Sequence, residues 1–205
     1  MCGISGIYNC SDRNINANKI IENIIKLQDR RGPDDRGIWQ SECKKITLGH
    51  NRLSIIDLTD KARQPLVSKD NNLVITFNGE IYNYKEIKNE LSKNNVLFKS
   101  NSDTEVILES YKYWGVEFVK KLRGMFAFAI WDNNKKKLLL ARDPFGIKPL
   151  YYFKKNNILF FASQVKSILS IDNLSFEKSK RSVLDYYLWG NIQEPNTLYK
   201  DIKSL

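Results

Sequence analysis

Apolar positions fall into two rhythms along this chain. Cys2 to Tyr8 reads as an opening strand, and Ile20, Ile21, Ile24, Ile25 and Leu27 then recur at helical spacing. Gly37 to Trp39, Lys45 to Leu48 and Leu73 to Phe77 are short β-rich runs divided by polar or glycine-containing turns, which predicts an antiparallel sheet. From Ser102 to Trp114 the pattern is helical again. Ser102 is placed to cap, Glu105 stands three residues on, and Val106, Ile107, Ser110, Tyr111 and Trp114 share a face. Met125 to Trp131 is continuously apolar, the mark of a strand covered on both faces. Two hairpins follow, through Asp132–Lys135 into Leu138–Leu140 and through Lys154–Asn157 into Ile158–Phe161. A last helical pattern holds Val183, Leu184, Tyr187 and Leu188. The economical architecture is one domain of two packed sheets with helices outside.

Composition narrows the class. The chain has 205 residues, 42% hydrophobic and 12% aromatic, enough for a real core. No stretch reaches the ~18 apolar residues of a membrane span, and the start lacks the regions of a secretory signal, so a cytoplasmic protein without membrane contact is expected. The formal charge of +10 could mean nucleic acid, but the lysines and arginines are scattered. The densest clusters, Lys135–Lys137 and Lys154–Lys155, adjoin Asn133-Asn134 and Asn156-Asn157, where solvated turns are expected, so no nucleic-acid partner is called for. Cys2, Cys10 and Cys43 cannot all pair and lack metal-ligand spacing, which predicts neither a disulfide nor a metal site.

Candidate chemistry begins at position 2. Removal of Met1 would make Cys2 the first residue, joining a thiol to a free α-amino group. Their ordinary pKa values, about 8.5 and about 7.7 to 8.0, lie close enough for cheap proton transfer, so one residue supplies nucleophile and base. Asn78-Gly79 is the strongest short signal of a tight hairpin, but it is also a carboxamide beside an unobstructed amide, the pair an oxyanion hole needs. Arg52, between a strand end and the apolar Leu53, Ile55 and Ile56, suits a bidentate carboxylate. Asp103 either complements the dipole of its helix or receives a substrate ammonium. Together these groups describe a site for a free α-amino acid bearing a side-chain amide.

The chain resembles the glutaminase domain of class II glutamine amidotransferases, within the N-terminal nucleophile hydrolases, most nearly that of glutamine-hydrolysing asparagine synthetases. The resemblance rests on an ordered set: Met1-Cys2-Gly3-Ile4, Arg31-Gly32-Pro33-Asp34-Asp35, Arg52-Leu53-Ser54-Ile55-Ile56-Asp57, Gln64-Pro65-Leu66, Asn78-Gly79-Glu80-Ile81-Tyr82-Asn83, Ser102-Asp103-Thr104-Glu105, Arg123-Gly124-Met125-Phe126-Ala127-Phe128, Arg142-Asp143 and Gly146-Ile147-Lys148-Pro149-Leu150-Tyr151. It implies an α+β fold, a four-layer α/β/β/α sandwich of two mainly antiparallel sheets flanked by helices. It also implies Cys2 as nucleophile, Asn78 and Gly79 as oxyanion hole, Arg52 on the α-carboxylate of L-glutamine and Asp103 on its ammonium. Leu53, Ser54, Ile55, Ile56 and Glu80 complete the glutamine contacts. No cofactor is implied for this domain. ATP and magnesium would serve a C-terminal synthetase domain that the sequence lacks, since it has no Ser-Gly-Gly-x-Asp-Ser loop. Residues 1–205 are then expected to be the glutaminase domain, with roughly 176–205 starting the connection to that partner domain.

Departures loosen the acceptor rather than the glutaminase chemistry. Arg30 stands where the family often has histidine, and Gln164 where it usually has glutamate. Aspartate is the acceptor the resemblance favours; a sugar or cell-surface precursor is the alternative. The non-enzyme alternative is a degenerate domain kept for dimerisation or regulation, and a homodimer is compatible with either. His50, the single histidine, reads as a packing residue beside Arg52, and Cys10 and Cys43 as structural. Asp34, Asp35, Arg142 and Asp143 are expected to form a buried ion-pair network under the pocket.

Overall fold

Two antiparallel sheets face each other across the centre of the molecule, in a computed structural model that describes all residues except 12, 56–58, 60 and 61. The chain opens with β1 (Gly3–Asn9) and α1 (Ala17–Leu27), continues through β2 (Asp35–Gln40), β3 (Ile46–Arg52), β4 (Leu66–Val67) and β5 (Leu73–Ile81), and then forms α2 (Tyr84–Lys93) and α3 (Asp103–Trp114). Strands β6 (Gly124–Asp132), β7 (Lys137–Arg142), β8 (Tyr151–Lys155) and β9 (Ile158–Ala162) follow, then α4 (Val165–Leu169), α5 (Lys180–Trp189) and β10 (Lys203–Ser204). One sheet runs β10-β8-β9-β1-β3-β2 and the other β4-β5-β6-β7.

Strand alternation divides the apolar residues among three cores. Ile4, Leu48, Val74, Ala127, Ala129, Trp131 and Phe161 meet between the sheets. Ile7, Phe153 and Phe160 point outward from the larger sheet onto Ile21, Ile24 and Ile25 of α1 and Ile168 of α4. Ile75, Phe77, Phe126, Phe128 and Ile130 point outward from the smaller sheet onto Ile87 and Leu91 of α2 and Val106, Ile107 and Tyr111 of α3. The four layers, helix over sheet over sheet over helix, are thus built from β1, β5 and β6 presenting alternate residues to different cores. The continuous apolar run of β6 has this cause, since every residue from Phe126 to Trp131 is buried.

Several expectations are corrected in detail. The runs around residues 37–39, 45–48 and 73–77 belong to two sheets: β2 and β3 pair with each other, whereas β5 pairs with β6. Ser102 caps α3 by accepting from Thr104 N at 3.1 Å, but Glu105 turns away to accept from Lys99 N and Ser100 N, both at 2.8 Å, and ties down the preceding loop. The apolar residues of α5 are not in a core: Leu184, Tyr186, Tyr187, Leu188 and Trp189 are all exposed, and only Ser182 of that helix is buried. Cys10 and Cys43 are exposed free thiols at strand and turn ends, so neither packs structurally. The lysine clusters do lie at turns, where Lys136, Asn156 and Asn157 take positive φ.

Candidate active site

The β1–β3 pairing brings the start of the chain to the end of β3. Gly3 pairs with Asn51, so Cys2 lies beside Arg52 and Leu53. The Leu53 N–H approaches Cys2 Sγ at 3.4 Å, and Sγ lies 3.6 Å from Leu53 O. Arg31 Nε donates to Cys2 O at 2.9 Å, fixing the residue's backbone from the other side. Two cross-sheet bonds then bring β5 to the same place. Thr76 Oγ1 donates to Gly49 O at 3.1 Å, and His50 Nε2 stands 3.1 Å from Phe77 O. Since that carbonyl only accepts, Nε2 carries the histidine proton.

Asn78 and Gly79 follow directly. They do not form a turn; both lie inside β5, opposite Ala127 and Phe126. Long-range pairing with β6 overrides the local preference for a hairpin, and the next strand, β6, begins only after two helices. A Cβ on Gly79 would lie 2.3 Å from Met125 O, so only glycine permits this close approach of the two strands. Asn78 is 1% exposed, yet its Nδ2 has no hydrogen-bond partner among the described residues. A buried donor left empty is costly, and functional sites are where such a cost persists.

Cys2, Arg52, Leu53, Ser54, Ile55, Asn78, Gly79, Glu80 and Asp103 line one cavity of about 120 Å³. Ile56 lies outside the described residues. Arg52 is buried at the end of β3 and donates through Nη2 to Thr59 O at 3.3 Å. Asp103 opens α3 and accepts from Ile81 N at 3.1 Å through Oδ2. Burial pushes its carboxyl up to about 6, against the pull of the Ile81 and Thr104 amides and with the help of Glu80. Burial likewise raises the Cys2 thiol, opposed by the Leu53 backbone, the N-terminal charge, Arg52 and Arg31. His50 is fully buried and is driven down to about 4 by desolvation, so it is neutral at pH 7 and does not line the cavity.

A family model described as a glutamine amidotransferase domain matches residues 1–205. The chain belongs to this family. The amidotransferase domain is 40% identical over 207 residues to asparagine synthetase 1 (glutamine-hydrolyzing) of Bacillus subtilis (strain 168), with 100% of this chain and 32% of that protein covered. It is also 39% identical over 194 residues to amidase chry2 of Gibberella zeae, covering 90% of this chain and 29% of that one. The chain therefore spans about a third of the length of the curated relatives it matches. Among solved structures, a glutamine phosphoribosylpyrophosphate amidotransferase from B. subtilis, complexed with ADP and GMP, shares the fold with a TM-score of 0.69 at 23% identity, covering 82% of this chain and 43% of that one. The α+β sandwich expected from the resemblance is the fold observed, and the family is one of enzymes.

Some residues of the amidotransferase domain sort differently from expectation. The proposed ion-pair network is two unconnected features. Asp34 accepts from Ser54 N at 2.8 Å, and Asp35 meets Arg63 at 3.2 Å, next to the cavity. Arg142 and Asp143 instead build the turn after β7, with Asp143 accepting four backbone N–H groups and Arg142 reaching Glu194, Ser204 and Leu205. Backbone donors near in sequence satisfy Asp143 more cheaply than a distant cation could. Gln64, Thr104, Met125 and Lys148 also line the cavity and were not singled out. Gln64 joins the walls, accepting from Phe77 N at 2.7 Å and donating to Thr104 Oγ1 at 3.3 Å. Its Gln-Pro-Leu segment carried the signal without the role. No helix among the described residues is long and apolar enough to cross a membrane.

Proposed function

We propose that this chain hydrolyses the side-chain amide of L-glutamine, with Cys2 as nucleophile. The observation that carries the reading is the empty Nδ2 of Asn78 in the same cavity as Cys2 Sγ, with the Gly79 amide beside it. Loss of Met1 frees the Cys2 amine. While Met1 is attached, the nitrogen of Cys2 is an amide and takes no proton, so the form with Met1 is a precursor. In the processed chain the amine accepts the thiol proton as sulfur attacks the carbonyl carbon of the side-chain amide, Cδ. The new oxyanion is received by Asn78 Nδ2 and Gly79 N–H. Collapse breaks the C–N bond, the amine returns its proton to the leaving nitrogen, and ammonia departs from a γ-glutamyl thioester. Water, deprotonated by the same amine, then releases glutamate. Arg52 pairs with the α-carboxylate and Asp103, ionised, with the α-ammonium, while Leu53, Ser54, Ile55 and Glu80 shape the pocket.

In the whole protein the ammonia would convert aspartate to asparagine in a synthetase domain supplied with ATP and magnesium; the asparagine synthetase relatives support this. The exposed apolar residues of α5 support residues 176–205 as the start of the connection to that domain. The fungal amidase among the relatives favours one alternative, the same glutaminase half serving another acceptor. Three unpaired cysteines support a cytoplasmic setting.

The test is glutamate release from glutamine by chain lacking Met1, with asparagine as the poorer substrate and diazo-oxo-norleucine adding covalently at Cys2 by intact mass. Cys2→Ala is expected to lose all release. Undiminished turnover in that variant ends the proposal.

A further inference from the structure

Lys148 is a largely buried lysine at the cavity for which the chemistry above has no use. It is 7% exposed and lines the cavity that holds Cys2, and its ammonium has no hydrogen-bond or ion-pair partner among the described residues. Its aliphatic stem is buried while the ammonium keeps contact with the water of the cavity, free to meet negative charge on a ligand.

Backbone contacts locate this residue along the cavity. Asp143 Oδ2 accepts from both Phe126 N, at 3.2 Å, and Lys148 N, at 3.0 Å. Phe126 is the β6 partner of Gly79. Lys148 is therefore one strand removed from the oxyanion donor, whereas Asp103 attaches two residues further along β5, at Ile81. The backbone of Lys148 is thus anchored on the Gly79 side of the cavity wall, from which its side chain reaches the cavity. Its carbonyl is held as well, accepting from Arg142 Nε at 3.1 Å. Arg142 further donates to Gly146 O at 2.7 Å, to both carboxylate oxygens of Glu194 at 3.1 and 2.9 Å, and to Ser204 Oγ and Leu205 O. Gly146, at φ +63°, makes room for this guanidinium: a Cβ there would lie 2.1 Å from Nη2. The loop from 143 to 148 is wrapped around one arginine whose other contacts lie in residues 194–205.

We infer that Lys148 provides positive potential at the γ-end of bound glutamine, favouring the oxyanion during turnover and the γ-carboxylate of the glutamate product, and that Arg142 is the positioning residue that aims it. The inference rests on glutamine hydrolysis at Cys2 and adds a group that distinguishes a neutral amide from an anionic product. Substrate binding through Arg52 and Asp103 does not require it, so its signature lies in kcat and product inhibition rather than KM.

The experiment compares Lys148→Met, Lys148→Arg, Arg142→Gln and the Lys148→Met/Arg142→Gln double variant in chain lacking Met1. Lys148→Met is expected to lower kcat about tenfold and to weaken glutamate inhibition by a similar factor, with KM for glutamine changed less than about threefold, the scale of one unit charge acting through a partly wet pocket. Lys148→Arg restores most of both. Arg142→Gln lowers kcat on its own but adds little to Lys148→Met, as expected when one residue acts through the other. Calorimetry of glutamate binding to Cys2→Ala chain, with and without Lys148→Met, reads the same anion contact without turnover. Wild-type kcat and glutamate inhibition in Lys148→Met overturn the inference, as do losses in the double variant that simply multiply. Wild-type chain that releases no glutamate overturns the Cys2 reading together with this one, so the two failures are distinguishable.

Discussion

Asp103 and Asp143 are both 4% exposed, and their surroundings use them in opposite ways. In the turn after β7, burial would raise the Asp143 carboxyl, but N–H groups of Lys148, Ile147, Phe126 and Phe145 outweigh it and hold the group below its ordinary value. At the start of α3, burial wins: aided by the Glu80 charge, it outweighs the amides of Ile81, Thr104 and Asp103 itself, and the Asp103 carboxyl rises to about 6. One carboxylate has its acceptor capacity filled by its own backbone and acts as scaffold. The other keeps capacity for something the protein does not supply. The same contrast separates the cavity wall, with its empty Asn78 Nδ2, from the filled turn behind it. A buried polar group is evidence of function only after its partners have been counted.

The strongest way to break this contrast is Asn78→Ala. If the empty donor serves the oxyanion, kcat falls about 10² to 10³-fold while the melting temperature holds, since no folded-state bond is lost. A stability loss with retained kcat would make Asn78 scaffold. Next comes Asp103→Asn, expected to raise KM for glutamine about 10- to 100-fold, the scale of one charged hydrogen bond, with kcat less affected. Its mirror is Asp143→Asn, which replaces an acceptor of four N–H groups and is expected to cost about 2 to 3 kcal/mol, or roughly 5 to 10 °C for a chain of this size, with specific activity of the folded fraction retained. Equal thermal shifts in the two aspartate variants would erase the distinction.

Smaller effects appear with pH. Only ionised Asp103 pairs with an ammonium, so kcat/KM for glutamine should rise with pH through about 6, and Asp103→Asn should remove that step. Linkage to stability has the opposite slope. A carboxyl raised from 3.8 to about 6 binds its proton more tightly when folded, so its contribution is full below pH 3.8 and is lost as pH climbs through 6. His50, lowered from 6.5 to about 4, contributes stability that is full above 6.5 and is lost as pH falls towards 4. Denaturant titrations of Asp103→Asn and His50→Gln across this range separate the two. The smallest effect predicted is on activity in His50→Gln, whose amide can replace the Nε2 donation to Phe77 O: kcat within about twofold of wild type.

Legibility along the chain followed the range of the interactions concerned. The α3 helix and both late hairpins were readable because periodicity and turn residues act within a few positions. Cys2, Arg52 and Asp103 were picked out as residue types that suit one chemistry, and the structure brings them to one cavity; the roles themselves are those proposed above. Asn78-Gly79 was ambiguous, because its local signal favours a hairpin while its strand partner lies some fifty residues away in β6. Lys148 was visible only as one letter of Gly-Ile-Lys-Pro, since nothing in that motif says that its backbone is held by Asp143 and Arg142 and that it lines the same cavity as Cys2. The ion-pair expectation for Arg142 and Asp143 failed for a related reason: opposite charges adjacent in sequence are no measure of which backbone groups fold around them.

Sequence alone determined most element types, the thiol at the second position, the charged residues that now line one cavity, and the family resemblance. Only the tertiary structure decided which sheet each strand joined, that Asn78 sits in a strand with its donor empty, and that Asp103 is poised where Asp143 is satisfied. The reason is physical. Residue type and periodicity set what a side chain can do, but desolvation and the count of hydrogen-bond partners depend on segments far apart in the chain, and those two quantities separate a group that holds the fold from one that awaits a substrate.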